Sequence, residues 1–184
     1  PGLQATGWGV IAPEGAQLRN VDHGIIRTTT RMNDPERLAL IFEGLQNVIT
    51  NYQPEIAIIE EIFVKDNPRS ALRLGMARGV SILACGVAQI EVGEIAARAV
   101  KKAVVGTGTA SKEQIQDMVA RLLQVRALNA DAADALAIAI AASNDAGKPA
   151  GIALKSAQSG SNDPLAKAIS LALARDDGEH RGKT

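Results

Sequence analysis

The sequence predicts an α/β domain, and three stretches carry the expectation. Residues 6–12 (T-G-W-G-V-I-A) and 17–29 read as two strands of a hairpin turned by Pro13-Glu14-Gly15, with glycines that permit close backbone approach. Ile56–Glu60 (I-A-I-I-E) is a short apolar run with a polar end, the pattern of a strand buried on both faces. Asn129–Ala142 (N-A-D-A-A-D-A-L-A-I-A-I-A-A) is small and apolar on every face, the pattern of a helix enclosed on all sides. Hairpin, helix and buried strand in that order imply a mixed sheet crossed by helices.

The remaining elements follow in order. Pro1-Gly2-Leu3 reads as a turn, and the absence of an initiator Met leads us to expect a segment ahead of it. Asp34-Pro35 places an N-cap before a proline at the first helical position, and Leu38, Ile41, Phe42, Leu45, Ile49 and Tyr52 continue at helical spacing. Ser70–Val87 is a second helix, rich in small residues (Ala71, Gly75, Ala77, Gly79, Ala84, Cys85, Gly86) that allow another helix to come close. Ile90–Ile95 reads as a short strand and A-R-A-V-K-K as a basic turn. Ser111 and Gln114 form a capping box for a helix with an apolar stripe of Ile115, Met118, Val119, Leu122 and Leu123. We expect one domain over residues 1–146 and a flexible extension over 147–184, in which residues 162–173 could form a short amphipathic helix.

Composition narrows the classes. The 184 residues are 46% hydrophobic but only 2% aromatic, so the core must be built from Ala, Leu, Ile and Val. Equal numbers of basic and acidic residues, 20 each, give no global sign of a nucleic-acid partner, which leaves local clusters to make that case. The single Cys85 excludes an internal disulfide and suits a cytoplasmic protein, and no apolar run is expected to span a membrane.

The chemistry points to Asp131 and Asp134. Three residues apart, they share one face in the first turn, where the helix dipole favours negative charge, yet no cation stands on the same helix to pair with them. Asp131 alone would read as a cap. Asp134, beside Ala133, Ala135 and Leu136, stands where packing calls for an apolar residue, and a divalent metal would resolve that conflict. At the end of Ile56–Glu60 a Glu60-Glu61 pair occupies the carboxyl end of a strand, where open α/β sheets gather ligands, but neighbouring strand residues point to opposite faces and only one can join the aspartates. Gly106-Thr107-Gly108 lacks the ending of a nucleotide-binding loop and supports at most a turn whose N–H groups approach phosphate.

Four stretches in order resemble the RuvC-type Holliday junction resolvases: P-G-L-Q-A-T-G-W-G-V-I, I-I-E-E-I-F-V-K-D-N-P-R-S-A-L-R-L-G-M-A-R-G, A-R-A-V-K-K-A-V-V-G-T-G-T-A-S-K and A-D-A-A-D-A-L-A-I-A-I. The resemblance runs from Pro1 to about Ala142. It implies an RNase H-like, mixed five-stranded sheet flanked by helices and a homodimer that cuts four-way junction DNA symmetrically with Mg²⁺, with Mn²⁺ able to substitute and two ions per site. It further implies a role beside the branch-migration proteins of the same pathway.

Carried onto this chain, the resemblance makes Glu60, Asp131 and Asp134 catalytic carboxylates and metal ligands, the E-x-x-F pattern ending at Phe63 choosing Glu60 over Glu61. Phe63 is expected to stack on an unpaired base, and Lys101 and Lys112 to lie near the scissile phosphate. A lysine in the first turn of a helix opposes the dipole, so Lys112 suggests an anion external to its helix. Lys65, Arg69, Arg73 and Arg78 would extend a DNA-facing basic surface. The family's fourth acid ends a first strand just ahead of the stretch matched by Pro1-Gly2, so we expect that central strand to precede this sequence and a chain beginning truly at Pro1 to be inactive. Two other functions fit the same residues: a junction-binding scaffold that does not cut, and an RNase H-fold nuclease acting on RNA.

Overall fold

The computed structural model describes residues 1–62, 68–126 and 128–145. Strands β1 (Ala5–Glu14) and β2 (Gln17–Arg27) pair antiparallel from Ala5↔Arg27 to Glu14↔Gln17, with a bulge between Val10 and Ile11. The turn is shorter than expected. Pro13 and Glu14 remain in the ladder opposite Leu18 and Gln17, and the chain reverses at Gly15 and Ala16, with Gly15 at φ 62°, a conformation that favours glycine.

Helix α1 (Asp34–Tyr52) begins one residue away from the expected cap. Asn33 accepts from the Glu36 N–H at 2.9 Å while Glu36 accepts from the Asn33 N–H at 2.9 Å, a reciprocal box that leaves Asp34 inside the helix. β3 (Ile56–Glu60) then pairs in parallel with β4 (Glu91–Ile95) across the crossover helix α2 (Pro68–Val87), in register from Ile56↔Glu91 to Glu60↔Ile95.

The expected basic turn is a helix, α3 (Ala97–Val105). Val100 and Val104, four apart, are both buried, and Gly106 ends the helix at φ 83° with its N–H on the Lys102 carbonyl at 2.9 Å. The Gly106 N–H thus serves as a helix cap instead of facing a phosphate. α4 (Lys112–Leu122) starts from the Ser111–Gln114 capping box read in the sequence, and α5 (Ala130–Asp145) closes the described chain.

The described strands do not by themselves make one sheet; the five-stranded sheet that the resemblance implies includes a central strand ahead of Pro1. Among the described residues there are two separate two-stranded sheets, β1–β2 and β3–β4, and no ladder joins β1 to β3. What unites them is α5, which packs on both pairs and on α3 and α4. Its Leu136, Ala137, Ile140 and Ala141 lie in the main core with Ile95, Val100, Val104, Ile115 and Val119. Leu3, Ile41 and Ala77 form a second, smaller core between the hairpin side, α1 and α2.

Candidate functional site

The position of α5 is set by two glycines on β1. A Cβ at Gly7 would lie 2.0 Å from the Asp131 carbonyl oxygen, and one at Gly9 would lie 2.6 Å from the Leu136 side chain. The bare backbone of β1 therefore lets the first turn of α5 rest directly on the strand, as the glycine-rich strand pattern suggested. Asn129 takes the capping role, its Oδ1 accepting from the Asp131 N–H at 3.0 Å and its carbonyl accepting from the Ala133 N–H at 2.8 Å. Asp131 is thereby released from capping.

Asp134 has a partner that its own helix does not supply. Lys112, in the first turn of α4, places Nζ 3.6 Å from Asp134 Oδ2, with side-chain exposures of 75% and 45%. Neither carboxylate is fully buried, so full desolvation does not press on them as the sequence pattern suggested. The anion facing Lys112 is, in this state, one of the expected catalytic acids. Lys101 donates from Nζ to the Ala110 carbonyl at 2.8 Å, tying α3 to the loop that launches α4. One lysine thus holds the segment from which the other projects.

The strand register separates Glu60 from Glu61. Glu94 is paired in register with Ile59, and its carboxylate reaches Arg78 of α2, so that face of the β3–β4 pair looks toward α2. Glu60, paired with Ile95, lies on the opposite face, where Ile58 and Ile95 join the α5 core. Backbone alternation thus agrees with the choice of Glu60 made from the E-x-x-F pattern. Glu61 turns instead toward a cavity of about 300 Å³ that it lines with Ile62, Gly75, Arg78 and Glu94.

Three acids of the expected set do not, however, assemble into a cage. Among the described residues no three His, Cys, Asp or Glu side chains converge so as to hold a metal ion. Asp131 and Asp134 share a helix face, but Lys112 occupies the flank of Asp134 that a cation would take. The described donor set alone is therefore insufficient for the two-ion site expected from the resemblance.

The basic residues divide. Arg73 stands 4.0 Å from Asp34 at the start of α1, both side chains well exposed, and Arg69 is exposed in the first turn of α2. Arg78 departs from the expected DNA-facing role: its side chain is 20% exposed, and its guanidinium pairs with Glu94 at 2.7 Å and donates to the Glu60 carbonyl at 3.3 Å. A cation amid Ala and Gly in the middle of a helix requires an acceptor, and that signal could have pointed to Glu94, which the sequence reading missed. Phe63, Lys65 and residues 147–184, including the proposed helix at 162–173, lie outside the described residues.

An α/β domain with two acids on its central helix, one of them paired with Lys112 of a neighbouring helix, and a strand-end glutamate on the face that packs on that helix has the framework of a nuclease. The chain belongs to the RuvC family of crossover junction endodeoxyribonucleases, whose family model matches residues 1–142. A crossover junction endodeoxyribonuclease RuvC from Zymomonas mobilis is 49% identical over 141 residues, covering 76% of this chain and 84% of the relative. Another from Yersinia enterocolitica is 51% identical over 141 residues, covering 76% and 81%. Among solved structures, Thermus thermophilus RuvC in complex with a Holliday junction substrate superposes with a TM-score of 0.74 at 30% identity, covering 79% of this chain and 90% of that one.

Proposed function

We propose that this chain is a structure-selective endodeoxyribonuclease that resolves Holliday junctions by paired symmetric nicks in DNA recombination and repair. The observation that carries the reading is the family match over residues 1–142, joined to a structural likeness to a RuvC bound to a Holliday junction. In this reading Glu60, Asp131 and Asp134 are the reacting-centre carboxylates, Lys112 and Lys101 approach the scissile phosphate, Phe63 stacks on an unpaired base, and Arg69 and Arg73 contact the backbone. A carboxylate face flanked by lysines suits phosphate: the lysines attract the polyanion, while the acids repel it unless a cation intervenes. The cofactor is divalent, Mg²⁺ with Mn²⁺ as substitute and two ions per site, and binding it requires at least one ligand beyond the described carboxylates.

The working unit is a homodimer, acting in the cytoplasm beside branch-migration proteins. What supports the dimer is α2. Leu72, Leu83 and Val87 are 67%, 55% and 60% exposed, and Gly75, Gly79 and Gly86 meet open space where a Cβ would stand. Arg69–Val87 is, against the expectation from sequence, long and apolar enough to cross a membrane by length and composition, with a mean hydropathy of 1.2. Two copies joined at this face would place two cutting centres on one two-fold axis, as paired nicks require.

A second reading has a specific observation behind it. The described acids do not converge on a metal, and Asp134 is paired with Lys112, which is what a junction-binding scaffold without cutting activity would tolerate. One experiment separates the readings: a synthetic four-way junction incubated with the protein and Mg²⁺, with nicks mapped on each strand and a linear duplex and a structured RNA as controls. Symmetric nicks on the junction alone are expected. Binding without nicks would favour the scaffold, and preferential cutting of the RNA would favour the RNA nuclease.

A further inference from the structure

We propose that Arg78 is a positioning residue for Glu60, clamping the carboxyl end of β3 between α2 and β4. This rests on the junction-cutting reading, since it concerns how one of the reacting-centre carboxylates is aimed. Arg78 lies in the interior of α2, and its planar fork reaches two elements at once: one Nη meets Glu94 Oε1 on β4 at 2.7 Å, and Nε donates to the backbone carbonyl of Glu60 at 3.3 Å. The same peptide is held from the other side, where the Glu61 N–H donates to the Ile95 carbonyl at 2.9 Å.

The peptide plane between Glu60 and Glu61 is therefore fixed at both its oxygen and its nitrogen. Fixing that plane fixes the direction in which the Glu60 Cα–Cβ bond leaves the strand, and with it the side on which the carboxylate stands. The need for such a device follows from the fold. Glu60 is the last residue of its strand, and among the described residues β3 pairs along one edge only, with β4. Without a clamp, the last peptide of a two-stranded pair would fray.

The arginine is suited to the task by its rigid geometry, and a lysine ammonium could not meet both acceptors in the same way. Glu94 in turn keeps the guanidinium from turning outward. Its carboxylate is 26% exposed, so the pair is sheltered from much of the solvent screening that weakens surface ion pairs. Neither Arg78 nor Glu94 needs to touch the substrate for this role.

The test uses the full chain with Arg78→Ala and Glu94→Gln. On a synthetic four-way junction with Mg²⁺, kcat is expected to fall about 10- to 100-fold in Arg78→Ala, the scale of a misaimed reacting group, and less in Glu94→Gln, with KM unchanged in both. In parallel, amide hydrogen exchange at Glu61 should rise about tenfold in Arg78→Ala while amides of α5 keep the wild-type rate. Wild-type kcat in both variants overturns the proposal, as does exchange at Glu61 that is unchanged or rises no more than exchange in α5. A wild-type chain that leaves the junction intact counts against the proposed function, whereas the Glu61 exchange still decides whether the clamp exists.

Discussion

The two ends of the molecule solve the same packing problem to different degrees. Around α5, aliphatic residues from six other elements join the core of Leu136 and Ile140, which are 0% and 2% exposed. Around α2 the core is a short set, Leu3, Ile41 and Ala77, and the opposite face of the helix is left open, with Leu72 and Val87 largely exposed. Both helices are rich in Ala and apolar residues. The difference is that α5 is enclosed by its own chain and α2 is covered on one side only. In the proposed function the enclosed helix would carry the acids, since a reacting centre needs a rigid support, and the open one would carry the surface on which a second copy docks.

Cutting into each helix should sharpen that contrast. Leu136→Ala is expected to cost about 2–5 kcal/mol in chemical denaturation, since a fully enclosed side chain leaves a cavity that tight packing cannot collapse. A loss below about 1 kcal/mol would mean that the α5 core is looser than its burial implies.

Asp131→Asn keeps the volume and removes the charge. Junction cutting should fall by about 100-fold or more while junction binding and thermal stability stay near the wild type, because the capping bond at this turn comes from Asn129. Retained cutting at ordinary Mg²⁺ would remove Asp131 from the reacting centre, and a collapse in Tm would return it to a structural role.

On the open helix the order of effects should reverse. Leu83→Asp is expected to leave the monomer folded but weaken self-association at least about tenfold, measured by sedimentation, since a buried unpaired carboxylate at the two-fold face is costly. An unchanged dimer would place the interface elsewhere.

Lys112→Ala tests the seam between α4 and α5. The Lys112–Asp134 pair is mostly solvated, so removing it should change stability by less than about 1 kcal/mol while slowing cutting. Marked unfolding would show the pair to be a structural tie between the helices.

The smallest effect concerns the hairpin's outer face. Tyr52 donates its hydroxyl to Asp22 and its ring lies 5.8 Å from that of Trp8, joining the end of α1 to β1 and β2. The Tyr52 hydrogen bond, followed by that from the His23 N–H, holds the Asp22 carboxyl below its ordinary value, and the same bond to Asp22 raises the Tyr52 phenol above its own. A depressed carboxylate contributes stability above its unfolded pKa and loses it as pH falls through the folded one; a raised phenol contributes below its unfolded pKa and loses it as pH rises through the folded one. The contribution should therefore persist between the ordinary values of 3.8 and 10.0 and fade outside them. Tyr52→Phe should lower Tm slightly at neutral pH and flatten both limbs of the Tm-against-pH curve. Unchanged limbs would remove this pair from the pH dependence.

What the sequence determined by itself is local and periodic. The capping box at Ser111, the alternation of glycines on β1, the strand at Ile56–Glu60 and the aliphatic continuity of Asn129–Ala142 each depend on neighbours a few residues away, and each is found where the pattern put it, although the strand is not buried on both faces as expected: Ile56 is exposed and Ile59 alone is fully buried. The four ordered motifs also named the family. The tertiary structure decided what depends on distant partners. A-R-A-V-K-K reads as a turn because it holds only one of the two buried valines, Val100; Val104 lies beyond it, and the face they share is defined only when α5 packs against them. Asp134 looked unpaired because its lysine comes from another helix, and Arg78 looked like a surface cation because Glu94 is brought to it only by the register of β3 with β4. Pairings across such separations leave no period in the chain, since the loop between partners can have any length or composition. They exist only once packing has brought the elements together.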